Sequence, residues 1–214
     1  MRILQVVNVL PDSENPLAQV FVKTQIDSIR KMGVEVSVYN VRGNVCRWNY
    51  LKAIGAVREL VRREHFDIVH GHYVYSGWIA AFQRRFPSVV SFMGSDLNGS
   101  PKVDGTLELR GYLDICLSKL LQFFVNGIIV KTRRMKKKLS KKKKCLVLPN
   151  GVDFNMFKEI ARDEARRKLR LDLEKKYVLF AGNYKEPAKA FPVIVKAVQI
   201  LKEEDTQVEL LLAY

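Results

Sequence analysis

Two apolar rhythms alternate along this chain, and that alternation constrains its fold more than any other feature. Arg2 to Val7 is a near-continuous apolar run, as a strand covered on both faces requires. Ala18, Val22, Ile26 and Ile29 then recur at helical spacing, and Gly33 stops that helix. Val34 to Val41 reads as a second strand. Leu51, Ile54, Val57 and Val61 mark the apolar stripe of a helix within Arg47 to Phe66. The pattern continues with strands at Asp67–His70, Val89–Phe92, Gly127–Val130 and Cys145–Leu148. Between them fall helices at Ser76–Phe86, along Leu109, Leu113, Cys116, Leu120 and Phe124, and at Arg133–Ser140. Connections of this length suit crossover helices and a parallel, doubly wound, Rossmann-like α/β sheet.

The rhythm pauses after Pro149 and restarts. Asn150-Gly151-Val152-Asp153 reads as a turn and Asp163–Leu171 as a charged helix. Tyr177–Ala181 then reads as a strand, Phe191, Ile194, Val198 and Leu201 as a helical stripe, and Val208–Leu212 as a strand. The expected division is a first domain over residues 1–155 and the opening β-α-β of a second, incomplete Rossmann-like domain over 156–214. One such unit cannot cover both faces of its own sheet. The polypeptide is therefore expected to continue past Tyr214.

Composition narrows the setting. Of 214 residues, 48% are hydrophobic, enough for a real core. The first residues enter a strand directly, and no signal peptide is expected. The longest apolar stretch, Leu113 to Val130, is interrupted by Lys119, Gln122, Asn126 and Gly127, and reads as a helix and a strand rather than a membrane span. Cys46, Cys116 and Cys145 are scattered and odd in number, which fits reduced thiols in a cytoplasmic protein. The net charge is +15, and ten basic residues of that excess fall within Lys131–Lys144 with no acidic residue among them. Without that segment the chain would carry only +5.

In open α/β sheets ligands gather where strands end, so the strand exits hold the candidate site residues. The first exit, Val9 to Pro16, has no glycine to cradle a phosphate, and a dinucleotide fingerprint is absent. The exit at Asp67-Ile-Val-His-Gly-His72 carries two histidines without a third metal ligand nearby. His70 suits strand-end packing, and His72, placed just past the strand, suits a ligand contact. At Met93-Gly94-Ser95-Asp96, glycine permits close backbone approach, and the hydroxyl and carboxylate suit sugar hydroxyls. An Asp capping the next helix explains the same residues equally well.

These segments resemble glycosyltransferase family 4, the retaining enzymes of the GT-B fold. That family shows a DIVHxH-like strand end, an HGxD-type segment and a PNGVDxxxF segment in this order. Asp67 to His72, Gly94 to Asp96, and Pro149 to Phe157 match them in turn, with Asn150, Gly151 and Asp153 inside the last. Gly182-Asn-Tyr-Lys-Glu-Pro-Ala-Lys189-Ala-Phe191 looks like the opening of the family's second domain. The resemblance implies two facing Rossmann-like domains, with acceptor bound by the first and nucleotide-sugar donor by the second. It implies transfer with retention and assigns no protein nucleophile. His72, Met93, Gly94, Ser95 and Asp96 become acceptor-side residues by this match. Gly182, Asn183, Lys185 and Lys189 become donor-diphosphate residues. Three positions depart from the family: Met93 stands for its His, Asn183 for its Arg, and Ala190 for its Gly. The family's donor-binding glutamate pair lies farther along than Tyr214, so residues 1–214 alone are expected to turn over little or nothing. No Asp-x-Asp sequence occurs, and no metal or other cofactor is expected beside the donor.

The lysine-rich segment remains to be accounted for. Ten like charges repel one another unless a partner screens them. Anionic lipid is the expected partner, since such enzymes often act on lipid-linked or glycan acceptors at the cytoplasmic membrane face. The helix following Arg47, with Trp48 and Tyr50 near its start, offers a second interfacial surface, although an ordinary domain helix has the same pattern. A specific nucleic-acid partner is not expected, because no aromatics are interleaved with the lysines. A non-catalytic module that keeps only acceptor or membrane binding is the first rival reading, and a nucleic-acid-binding protein built around the lysines is the second.

Overall fold

A computed structural model describes residues 1–213 apart from Glu14, Leu17 and Val103. The side chains of Lys143 and Ala188 lie outside that description, as does Tyr214. The chain divides into two compact units: Met1–Ser100 with Glu108–Val152, and Pro101–Leu107 with Asp153–Tyr214.

The first unit is a six-stranded parallel sheet in the order β2-β1-β3-β4-β5-β6. Its strands are β1 (Arg2–Val7), β2 (Glu35–Asn40), β3 (Ile68–His72), β4 (Ser88–Ser91), β5 (Gly127–Val130) and β6 (Cys145–Val147). The helices between them are α1 (Val20–Lys31), α2 (Trp48–Arg63), α3 (Val74–Phe82), α4 (Ser95–Asn98), α5 (Leu109–Leu121) and α6 (Arg133–Lys137). Strand β1 shows why both faces are covered. Leu4 and Val6 pack with Ala53 and Val57 of α2 and Ile79 of α3, whereas Val7 packs with Val22 and Ile26 of α1. The sheet is therefore doubly wound, as the alternating pattern predicts. Its strand order reverses between β1 and β3, which makes their carboxyl ends the natural ligand position.

Gly71 explains how tightly α3 sits on this sheet. A Cβ there would lie 2.4 Å from the Ser76 carbonyl oxygen and 2.6 Å from the Gly77 Cα. The glycine between the two histidines is thus required by close packing of helix backbone on strand.

Two helices are oriented differently from their sequence patterns. In α2, Leu51 is 59% exposed and Ala53 takes the buried position with Val57 and Val61. In α5 the reversal is complete. Leu109, Leu113, Cys116, Leu120 and Phe124, the expected core stripe, are all exposed. The buried face is Gly111, Asp114, Ser118 and Leu121. Gly111 lets the helix approach the Ser100 backbone, where a Cβ would meet the amide nitrogen at 2.7 Å. Asp114 accepts from the hydroxyls of two half-buried tyrosines, Tyr73 and Tyr75. Close approach and hydrogen bonding set the phase of this helix, and hydrophobic periodicity did not. Helix α6 is also shorter than its sequence pattern, because Leu139 turns into the core next to Cys145.

The second unit holds β7 (Lys176–Ala181) and β8 (Val208–Ala213), paired in parallel, with α7 (Arg162–Lys168) and α8 (Phe191–Glu204). Helix α7 buries no residue. It carries Asp163 and Glu164 in its first turn and Arg166, Arg167 and Lys168 in its last, matching the helix dipole. Among the described residues of this unit, Val198 of α8 and Val208 of β8 are the buried apolar side chains. Phe180 and Phe191 meet edge to face at 5.0 Å and tie α8 to β7.

Candidate functional site

The carboxyl ends of β1, β3, β4 and β5 bring a polar cluster together. His72 is the last residue of β3 rather than a loop residue beyond it, and only 1% of it is exposed. The strand runs on because Gly71 and His72 pair with Val90 and Ser91 of β4. His72 Nε2 lies 2.7 Å from Gln5 Oε1 and donates to it, while Nδ1 is buried with no partner among the described residues. His70 Nε2 pairs with Ser91 Oγ at 2.8 Å, and the His70 and His72 rings lie with centres 4.3 Å apart, tilted by 34°. Burial lowers the His70 pKa to about 4, with the Lys131 charge adding to the effect. His72 is held well below its usual value by burial, then by His70 and Lys131. Both rings are neutral at physiological pH and brace adjacent strands.

Asp96 is likewise turned inward. It is fully buried, and its carboxylate accepts from the amides of Met93 at 3.0 Å and Gly94 at 2.9 Å. Burial raises its pKa to about 6, and the backbone amides pull it back down. Asp96 thus binds the backbone ahead of α4 from within the helix, whose N-cap is Gly94 with no side-chain capping bond. Gly94 has φ of 141°, a conformation open to glycine, and this redirects the chain from β4 into α4. Met93 packs half-buried against the α1 side of the sheet. Ser95 is exposed, and its hydroxyl hydrogen-bonds the Tyr73 phenol.

Several groups at this edge escape a reading of the strand-exit motifs alone. Lys131 follows β5 directly and is within electrostatic reach of His70, His72 and Asp96. Burial lowers its pKa and Asp96 raises it. Its position at a strand exit was a usable signal, masked by the lysines that follow. Tyr73, at an uncommon φ of 76° for a residue with a side chain, donates to Asp114 at 2.7 Å. Tyr75 donates to the other carboxylate oxygen of Asp114 at 2.5 Å, and Arg110 sits over the Tyr75 ring. Burial and the Asp114 carboxylate raise both phenols. Tyr50 donates to Asn8 at the end of β1, and burial pushes its pKa up to about 12. The exposed or half-exposed groups of this edge are hydroxyls and cations, a set suited to a polyhydroxylated or anionic ligand.

The Asn150–Asp153 segment contains no turn. Gly151 has no positive φ and all four residues are exposed. The turn lies one step later, where the Asp153 carboxylate accepts from the Asn155 amide at 2.9 Å.

In the second unit the exit of β7 folds back on itself. Gly182 has φ of 151°, and the Lys189 stem passes 3.5 Å from where its Cβ would be. Asn183 Oδ1 accepts from the Lys185 amide at 3.0 Å. Lys189 ends a 3-10 turn (Pro187–Lys189), and Ala190, at φ of 50°, leads into α8. Gly182, Asn183, Lys185 and Lys189 thus share one loop ahead of a helix N-terminus.

The lysine-rich segment is not a uniform brush. Lys136, Lys138 and Lys144 donate to the carbonyls of Cys145, Leu97 and Val125. Arg133, Arg134, Lys137 and Lys142 are exposed. The Lys143 side chain lies outside the described residues. No group of three His, Cys, Asp or Glu suited to a metal ion occurs among the described residues. No described helix is long and apolar enough to cross a membrane.

The family model for Glycosyltransferase Family 4 matches residues 6–155. The chain belongs to glycosyltransferase family 4. Apart from Gln5, its polar cluster therefore sits in the family's matched region, as do Asp67–His72 and Gly94–Asp96, whereas Pro149–Phe157 runs two residues past that region and Gly182–Phe191 lies outside it. A curated relative, D-inositol 3-phosphate glycosyltransferase of Actinosynnema mirum, is 28% identical over 162 residues. That match covers 71% of this chain and 38% of the relative, so the chain spans well under half of that protein's length. Among solved structures, sucrose-phosphate synthase from Thermosynechococcus elongatus aligns over 100% of this chain and 71% of its own, with TM-score 0.65 and 12% identity. UDP-GlcNAc 2-epimerase from Neisseria meningitidis, bound to UDP-GlcNAc, aligns over 99% of this chain and 65% of its own, with TM-score 0.60 and 12% identity. At such identities the likeness is one of fold, a Rossmann-like α/β architecture of the GT-B kind.

Proposed function

We propose that this chain is part of a retaining glycosyltransferase that moves a sugar from a nucleotide-diphosphate donor to a glycan or lipid-linked acceptor. The observation that carries the reading is the β7 exit. There the Lys189 stem lies against Gly182, next to bare backbone and ahead of a helix N-terminus. A leaving diphosphate gathers negative charge as the glycosidic bond breaks, and a preorganised ammonium beside open backbone stabilises that charge. Lys185 supplies a second point charge, although Asn183 offers no bidentate fork. The acceptor is assigned to the carboxyl edge of β1, β3, β4 and β5, where Ser95, Lys131 and the tyrosines present hydroxyls and cations. The donor is a co-substrate, and the proposed reaction uses no metal or other cofactor.

The exposed members of Lys131–Lys144 support peripheral attachment to an anionic membrane surface at the cytoplasmic face. The amphiphilic start of α2, where Trp48 is exposed, supports the same attachment.

The test is sugar transfer by the full-length protein from uridine, guanosine and adenosine diphosphate sugars, with EDTA present and absent. Transfer from at least one donor is expected, with product configuration retained and a rate unchanged by EDTA. Lys189→Ala is expected to lower kcat/KM by about 10²–10³, with Lys189→Arg recovering part of the loss. Absence of transfer from every donor, or an unaffected Lys189→Ala enzyme, overturns the reading.

A further inference from the structure

The reversed phase of α5 leaves an apolar face uncovered among the described residues. Leu109, Tyr112, Leu113, Leu120, Phe123 and Phe124 are all at least half exposed. Beside this face, within the first unit, α2, α3 and α5 enclose a groove of about 340 Å³. Its walls include Leu51, Ile54, Trp78, Phe82, Leu117 and Leu120, with no charged side chain among them. The volume lies within the range of small-molecule sites, about 300–1,000 Å³. Apolar walls of this kind gain by taking hydrocarbon out of water.

The groove has a polar end. Tyr50 and Tyr75 line it, and both also belong to the strand-exit cluster. Tyr50 donates to Asn8 and Tyr75 donates to Asp114. The Arg110 guanidinium lies 5.9 Å from the Tyr75 ring centre and shares a hydrogen bond with its hydroxyl. Near the far end of α5, Lys141 Nζ stands 5.1 Å over the Phe123 ring. The Lys141 backbone amide is held there by Gln122 Oε1. A hydrocarbon trough thus runs into a hydroxyl-lined strand edge with a guanidinium at the junction.

We infer that this groove takes the hydrocarbon chain of a single phosphate-bearing lipid acceptor, with its phosphate at Arg110 and its polar end at the β1–β3–β4 edge. The charge fits, since Arg110 offers a forked donor pair to phosphate. The continuity fits as well, because the same tyrosines wall the groove and border the proposed acceptor edge. The inference rests on the glycosyltransferase reading for the meaning of that edge, but its binding test does not require turnover.

The experiment titrates the full-length protein with monomeric dodecyl phosphate, following tryptophan emission, because Trp78 lines the groove. Dodecanol, inorganic phosphate and phosphatidylglycerol vesicles form the comparison arms. Saturable binding of dodecyl phosphate at one site is expected, with inorganic phosphate failing to compete. Leu120→Glu and Leu51→Glu, at exposed positions that spare the core, are expected to weaken it at least tenfold with melting temperature unchanged. Arg110→Gln is expected to weaken dodecyl phosphate about tenfold and leave dodecanol unaffected. Binding that survives both leucine variants overturns the inference. So does binding to vesicles with none to monomeric dodecyl phosphate, which would assign the face to the bilayer surface. Transfer to a water-soluble acceptor that persists while groove binding fails removes this inference and leaves the glycosyltransferase reading standing.

Discussion

At the scale of single residues, the buried imidazoles and the buried carboxylate act in opposite directions on stability. His70 titrates at about 4 in the folded chain, against about 6.5 when unfolded. Below pH 6.5 the unfolded chain binds the proton that the folded chain refuses, so the His70 contribution is complete above 6.5. It is lost as pH falls towards 4, at a cost of about 3 kcal/mol. Asp96 at about 6 works the other way. Its folded pKa lies above the unfolded value, so its contribution is complete below about 4 and is lost as pH rises through 6. With His72 added to His70, acid destabilisation wins between pH 6.5 and 4. Urea melts across that window are expected to show stability rising with pH. Asp96→Asn should steepen the slope and His70→Gln should flatten it. Gly71 gives a second prediction at this scale. Gly71→Ala forces a methyl against helix backbone and is expected to cost about 3 kcal/mol, read as a lower urea midpoint with unchanged slope.

At the scale of elements, α5 separates periodicity from burial. Both of its faces carry a helical repeat, one apolar and one of small and polar residues. Asp114 and Gly111 decide between them, because a carboxylate shared by two tyrosines and a backbone approach each demand the inner side. Leu109→Lys and Leu113→Glu are therefore expected to change unfolding free energy by no more than about 0.5 kcal/mol. Leu121→Ala is expected to cost about 2–5 kcal/mol in the same denaturant titration. The loop before α8 offers an element-scale gain. Ala190 sits at φ of 50°, where a Cβ costs about 1–2 kcal/mol. Ala190→Gly returns that strain and loses about 0.4–1 kcal/mol to unfolded-state entropy. A net rise of about half to one kcal/mol is expected by chemical denaturation.

At the scale of the whole molecule, the charge of +15 is concentrated where the proposed membrane attachment needs it. Among the described basic side chains of Lys131–Lys144, Lys136, Lys138 and Lys144 are engaged with carbonyls and Lys131 is half-buried, so Arg133, Arg134, Lys137 and Lys142 carry the surface role. Replacing Arg133, Arg134, Lys137 and Lys142 together with Gln removes attraction of about 1 kcal/mol each. Co-sedimentation with phosphatidylglycerol vesicles is expected to fall by more than a hundredfold in affinity, with the melting temperature held. Binding to neutral vesicles equal to that on anionic ones would refute the attachment.

What the amino-acid order determined unaided was the architecture. Strand and helix periods follow from local geometry, and a run such as Arg2–Val7 needs cover on both faces wherever it lies, so the parallel doubly wound sheet was legible. The strand-exit residues were legible by position for the same reason, and the Gly182–Lys189 loop by its resemblance to a family. What the tertiary structure alone decided was which way side chains turn. His72 and Asp96 carry groups fit for a ligand, but their partners are Gln5, 67 residues away in sequence, and the amides of Met93 and Gly94. Lys131 enters the cluster because β5 ends beside β4, and Asp114 because α5 carries it to Tyr73 and Tyr75. Those contacts depend on the packing of distant elements, and a side chain's burial is a property of that packing, which no local pattern encodes.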